Sequence, residues 1–199
     1  MRIRTHTNPL SCLQTFEPLK PHEVFPNFSG KLDFEIGFGQ SSFIKNYAQN
    51  HSDRLVVGIE VRKKAADLMR QRLTQDNIAN VHLVYGDGSK CLATMFDDHS
   101  LDTIFIFHPD PWLKRRHKKR LLINDDFVCI AQQKLKAGGL IHLSTDVASL
   151  WQYVQITFAH NPNFEQYQNH PFWADYTTRW HEISQAKDRQ TFCGTFMVK

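Results

Sequence analysis

From Lys31 onward the chain alternates between short apolar runs and longer stretches with apolar residues every three or four positions. The runs in "LDFEIG", "RLVVGIE", "VHLVYGD", "LDTIFIFHPD" and "LIHLSTD" have the length and composition of buried strands. Between them, Ser42 to Gln49, "RKKAADLMRQRLTQ", "SKCLATMF" and "DDFVCIAQQKLK" carry a helical period, as at Ala65, Leu68, Met69 and Leu73. Asn124 or Asp125 is placed to cap the last of these helices, and Gly138-Gly139 to close it beyond Lys134 and Lys136. This alternation predicts an α/β fold with a mainly parallel central sheet and helices on both faces. The tail "QTFCGTFMVK" alternates apolar with polar, which predicts a last, antiparallel strand at the end of the sheet. Residues 1–30 hold four of the eight prolines (Pro9, Pro18, Pro21, Pro26) and follow neither period. They are expected to be an irregular N-terminal arm preceding a single domain over residues 31–199.

Composition narrows this picture without redirecting it. A chain of 199 residues with 41% hydrophobic content builds one ordinary core, and no run of eighteen apolar residues offers a membrane span. "MRIRTHTNPL" lacks an apolar signal region, so a soluble, cytoplasmic protein is expected. Cys12, Cys91, Cys129 and Cys193 are scattered, which suits reduced thiols better than disulfides or a zinc site. The eleven histidines show no H-x-x-x-H spacing, and no metal is assigned.

Charge changes the picture more. The net charge is +4, yet six of the 24 Lys and Arg fall within Lys114–Arg120, where there is no acid. The other 18 face 20 Asp and Glu, so the basic character is local and suits docking of a polyanion. The bland reading is a solvated face, but like charges this dense repel one another unless a polyanion offsets them.

The candidate chemistry lies at the strand ends. In open parallel sheets a ligand occupies the crevice beyond the carboxyl ends of the strands. Here those ends carry Glu35, Glu60, Asp87, Asp110 and Asp146 in succession. The first turn contains Gly37-Phe38-Gly39, a weak signal that on its own marks only a tight strand-to-helix turn. Glu60 follows about twenty residues later, where an acid accepts hydrogen bonds from a ribose diol. A nicotinamide enzyme would share that feature, but the third glycine that admits pyrophosphate is missing, and Ser41 stands in its region. S-adenosylmethionine has a ribose, an adenine and a cationic sulfonium but no phosphate, so carboxylates suit it better than anion-binding amides. Asp110 sits between Pro109 and Pro111, which restrict the backbone on both sides and can hold the carboxylate still. The alternative for that turn is a rigid strand end with a solvated acid. Trp112 is as well suited to core packing as to stacking on a base.

Taken together, "EIGFG", "GIE", "GD", "FHPDPWLKRRHKKR" and "STD", in this order, resemble the tRNA (guanine-N7)-methyltransferases. The resemblance runs from about Lys31 to about Asp146 and more loosely to the C-terminus, with most of its weight on the Asp110 segment. It implies a Rossmann-like class I methyltransferase fold and S-adenosyl-L-methionine as cofactor. It also implies a guanine of the tRNA variable loop as substrate. By the same resemblance Glu35, Gly37, Gly39, Glu60, Asp87 and Asp110 would line the cofactor site, with Asp110 the catalytic acid. Lys114 and Asp146 would contact the substrate, as would Thr178 and Glu182 of the C-terminal motif, and the segment Arg116 to Leu121, with His117, Lys118, Lys119 and Arg120, would meet RNA. The family's C-terminal motif is altered here, with His181 in the place of its acid and Glu182 one residue late.

Guanine N7 carries an in-plane lone pair and no proton. Methylation there is a direct displacement that needs alignment and negative potential rather than a base, which gives Asp110 an orienting, electrostatic role. Two other readings stay open: a methyltransferase of this fold acting on another substrate, and an RNA-binding protein that keeps the fold without catalysis. Oligomeric state is not encoded in any of these features.

Overall fold

The computed structural model describes residues 8–40, 42–112 and 119–199, without the side chain of Arg179. Seven strands, β1 (Leu32–Ile36), β2 (Leu55–Glu60), β3 (Val81–Tyr85), β4 (Leu101–Phe107), β5 (Leu135–Thr145), β6 (Phe164–Tyr167) and β7 (Phe192–Val198), form one sheet in the order β3-β2-β1-β4-β5-β7-β6. The first five run parallel, and β7 is antiparallel to both β5 and β6. The chain therefore leaves β1 in one direction toward β2 and β3, then crosses back to β4 and β5. That reversal opens a crevice at the carboxyl ends of β1 and β4.

Helices cover both faces, as the all-buried residues of β1 and β2 require. Successive strand residues point to opposite faces. Leu55, Val57 and Ile59 join the larger core with α4 (Gly88–Met95), α5 (Asp125–Lys134) and α6 (Ala148–Ala159). Val56 faces the smaller core with α2 (Phe43–Asn50) and α3 (Lys63–Gln75). Gly58 shares that second face, and a Cβ there would come within 2.3 Å of Ile44 Cδ1. Its bareness lets α2 settle directly on the sheet, bringing the glycine turn before α2 over the tip of β2.

The same face carries an aromatic group built on β4, β5 and the 3-10 turn Pro171–Ala174. His142 lies buried with its ring stacked 4.0 Å from Phe172 and its Nδ1 2.8 Å from Thr195 Oγ1. Trp173 Nε1 donates to the same hydroxyl at 3.0 Å. Burial, and then the charge of nearby His170, push the His142 imidazole down to about 3, so it is neutral in the folded protein at ordinary pH.

Two sequence-based expectations are corrected. The glycine pair does not end the helix: α5 stops at Lys134, and Leu135 turns at once into β5. Leu135 pairs with Leu101 and Leu140 with Thr103, so residues 136–139 bulge opposite Asp102, with Gly138 at φ +73°. Strand β7 is not the end of the sheet, because β6 pairs along its outer side. The described part of the N-terminal arm, residues 8–30, is irregular apart from a 3-10 turn (Pro9–Ser11) and the short helix α1 (Pro21–Val24), and it is pinned to the body. Cys12 and Phe25 are buried, Leu19 N–H donates to Met95 O at 2.8 Å, and the Phe16 ring fills the space that a Cβ at Gly86 would need. The seventh helix, α7 (Arg179–Gln185), follows Thr178, whose side chain caps it by accepting from His181 N–H.

Candidate active site

Three strand tips deliver an acid to the crevice, Glu60 from β2, Asp87 from β3 and Asp110 from β4, and each is held differently. After β1 the chain turns through Gly37 (φ +81°) and Gly39 (φ +59°), conformations that glycine adopts without strain. Gly37 N–H donates to Ile59 O at 2.8 Å and Gly39 N–H to Glu60 Oε2 at 2.9 Å, so the tip of β2 organises the turn. The Glu60 carboxylate is 3% exposed. Besides Gly39 it accepts from the Arg62 backbone N–H (2.9 Å), Arg62 Nε (3.0 Å) and Arg62 Nη2 (3.0 Å).

Asp87 follows the tip of β3 and caps α4, its side chain accepting from Lys90 N–H at 3.0 Å. The chain reaches it through Gly86, whose N–H donates to Glu60 O at 3.1 Å. After β4, His108 takes a positive φ of +48° and is almost fully buried, and its N–H donates to Ser144 O at 2.8 Å. Asp110 stands beyond it between the two prolines. Trp112 (φ +37°) lies under the Arg120 guanidinium, 4.9 Å from the ring centroid.

Glu35 is different in kind. It lies within β1, paired with Gly58 and Phe105, and is 2% exposed. Its Oε2 is buried without a hydrogen-bond partner among the described residues. Burial, and secondarily the negative charge of Glu60, push its carboxyl up to about 8, so it carries a proton at neutral pH.

A cavity of about 350 Å³ joins these tips, within the ~300–1,000 Å³ common for ligand sites. Gly37, Glu60, Asp87 and Asp110 line it together, with Lys119 and Arg120 contributing positive charge to the same wall. Glu35 and Gly39 lie behind that lining rather than in it. An adenosyl ligand without phosphate suits a lining that offers several carboxylate acceptors, with the partnerless Oε2 of Glu35 behind it.

The other sequence-based candidates are distributed unevenly. The Asp146 side chain is only 4% exposed and is tied to the C-terminal segment, accepting from Ser184 Oγ and Arg189 Nη1, each at 3.1 Å. Burial alone would raise its pKa. The hydrogen bonds from Trp180, Arg189 and Ser184 and the nearby His108 outweigh that and hold it below the usual carboxylate value. His108 Nδ1 lies 3.6 Å from Asp146 Oδ1. Thr178 is buried at the start of α7, and Tyr176 bridges its hydroxyl (3.4 Å) and that of Ser144 (2.6 Å). Glu182 is exposed on α7 and does not line the cavity. Lys114, Arg116, His117, Lys118 and Ser41 lie outside the described residues.

Several lining or supporting residues were not singled out from sequence. Arg62, two positions past Glu60, was legible as an acid–base pair across a strand-to-helix turn. Arg189 and Tyr176 are far from their partners along the chain and give no local signal. Nor do Pro9 and Leu10, which bring the arm to the edge of the cavity.

Comparison with known proteins bears on family and fold. Residues 29–193 match the family described as "Putative methyltransferase". A tRNA (guanine-N(7)-)-methyltransferase of Nitrosococcus oceani is 33% identical over 152 residues, covering 76% of this chain and 64% of the relative. That of Ralstonia pickettii is 37% identical over 132 residues, covering 66% and 51%. The chain thus spans between half and two thirds of the length of these curated relatives. Among solved structures, the 16S rRNA methyltransferase KamB superposes with a TM-score of 0.67 at 10% identity, covering 94% of this chain and 95% of that one. The aminoglycoside resistance methyltransferase NpmB1 gives 0.58 at 16% identity, covering 91% and 94%. At these identities the likeness is one of fold, that of methyltransferases with a mostly parallel seven-stranded sheet.

Proposed function

Because the chain belongs to the methyltransferase family that its residues 29–193 match, we propose that it transfers a methyl group from S-adenosylmethionine to N7 of a guanine in tRNA. The observation that carries this reading is the meeting, in one cavity, of three strand-tip acids with Lys119 and Arg120. A small-molecule methyltransferase accounts for the acids but leaves the positive wall idle. The named relatives, which are tRNA (guanine-N(7)-)-methyltransferases, support the choice of base.

S-adenosylmethionine would supply an electrophilic methyl group on a cationic sulfonium. Glu60 and Asp87 would hold the nucleoside, Glu60 as the acceptor for the ribose hydroxyls. Protonated Glu35 can donate a hydrogen bond where an ionised neighbour to Glu60 would only repel. Asp110 would face the guanine, accept from its N1 and amino groups, and provide negative potential as the ring becomes cationic. The two prolines keep its carboxylate preorganised, so little reorganisation is needed at the moment of transfer. The basic segment, of which Lys119 and Arg120 are described, would take backbone phosphates and position the RNA.

The deciding experiment incubates unmodified tRNA with the protein and methyl-labelled S-adenosylmethionine, then cleaves the product chemically at 7-methylguanosine. Labelled RNA cleaved at one guanine of the variable loop is the expected result. Label without cleavage at a guanine would overturn the N7 assignment.

A further inference from the structure

Glu60 is the acid best placed to accept a ribose diol, yet its acceptor capacity is already filled. A carboxylate offers about four lone-pair sites. Here two backbone N–H groups and two nitrogens of the Arg62 guanidinium occupy them. The backbone donors are built into the fold, because Gly39 and Arg62 flank the strand tips. The guanidinium is the removable pair: Arg62 is 42% exposed while its partner is 3% exposed. It also lies across the glycine turn, where a Cβ on Gly39 would sit 3.1 Å from Arg62 Nη2. Arg62 thus covers both the acceptor oxygens and the bare backbone that a nucleoside would approach, and it lines the cavity itself.

We propose that Arg62 occupies the ribose position, and that the nucleoside enters by exchanging its two hydroxyls for the Arg62 guanidinium on Glu60. Neutral hydroxyls make weaker hydrogen bonds to a carboxylate than a bidentate guanidinium does. The exchange is possible because Arg62 is already partly in water and regains hydration when it leaves. Asp110 is close enough for its charge to act on Arg62, so the displaced group stays in an acidic setting. The closed pairing keeps the buried Glu60 charge compensated while the site holds no nucleoside. It lowers apparent affinity by the fraction of molecules that are open. This inference rests on the cofactor assignment made above and adds the group against which the cofactor competes.

Titration of S-adenosylhomocysteine into the full chain by calorimetry tests it. Arg62→Met should bind about three- to tenfold more tightly than the unaltered protein. Its melting temperature without ligand should fall, because Glu60 loses its partner. Arg62→Lys keeps the charge but not the two-pronged contact, and should lie in between. In a Glu60→Gln background, Arg62→Met should change affinity less than about twofold, since the competition acts through Glu60. A purely supporting Arg62 would lower the melting temperature and also weaken binding; weaker or unchanged binding by Arg62→Met, with the unaltered protein binding normally, overturns the proposal. Binding by neither protein overturns the cofactor assignment and the proposal with it, whereas binding by Arg62→Met alone is its strongest confirmation.

Discussion

Glu35 sits where a strand residue should be apolar, and its effect on stability has a definite sign. Below about pH 4.5 both folded and unfolded chains hold the proton, and Glu35 contributes nothing to the pH dependence. Between 4.5 and about 8 the unfolded chain releases the proton while the folded one retains it. Stability attributable to this group therefore falls as pH rises, by up to ~1.4 kcal/mol per pH unit, and levels off above the folded value. Glu35→Gln should remove that slope, matching the unaltered protein near pH 4 and exceeding it in urea denaturation at pH 8.5. Asp110 makes a prediction of a different kind. Asp110→Asn keeps the shape of the proline-bounded turn and removes one charge, so turnover should drop about 10²- to 10³-fold. Affinity for tRNA, which rests on phosphate contacts, should stay within about twofold; unchanged turnover would remove Asp110 from the mechanism. The strand-end acids were legible at this scale because a parallel α/β rhythm fixes which end of every strand faces the ligand. Their separate fates were not. Glu60 is saturated by Gly39 and Arg62 together, and Asp146 is bound to Arg189, 43 residues away in the chain, so periodicity could not reveal either state.

At the level of elements, an apolar stripe framed by polar positions, as in α3, or a capping side chain, as in α5, made a helix readable, and α6 offers neither plainly. Helix α3 shows its apolar stripe over thirteen residues, and α5 opens on Asn124, whose side chain accepts from Phe127 N–H. Helix α6 buries Leu150, Val154 and Phe158 at helical spacing, but Val147 supplies no side-chain cap and its first turn holds no acid. Strand β6 is four residues long, too short for alternation to stand out. The Gly138-Gly139 pair misled because glycines that close a helix and glycines that form a bulge look the same in sequence. The basic segment yields the prediction at this scale. Lys119→Ala together with Arg120→Ala should weaken tRNA binding and reduce the slope of log Kd against log salt by about 1–2. An unaltered slope would mean that this part of the segment is solvated surface. Arg120 also covers the Trp112 ring, so its loss bares an aromatic face without removing it.

For the molecule as a whole, one crevice collects contributions from the glycine turn, three strand tips, the basic segment and the N-terminal arm. All but the last were visible in sequence as a series of motifs. The arm was not, because its hold on the body depends on single contacts such as Phe16 over Gly86 and Leu19 on Met95 rather than on any period. A ligand that engages so many elements should stabilise all of them together. S-adenosylhomocysteine at one hundred times its Kd should raise the melting temperature by about 5–10 °C, and no shift at saturating ligand would argue against a cofactor in this crevice. Away from the crevice, His142 has a use of its own. Packed against Phe172 and paired with Thr195, its ring ignores protons over the range in which exposed imidazoles titrate. In a nuclear magnetic resonance spectrum it would be a fixed mark among eleven histidine signals. A movement of that signal well above pH 3 would report the sheet parting around it, a built-in gauge of unfolding that needs no label.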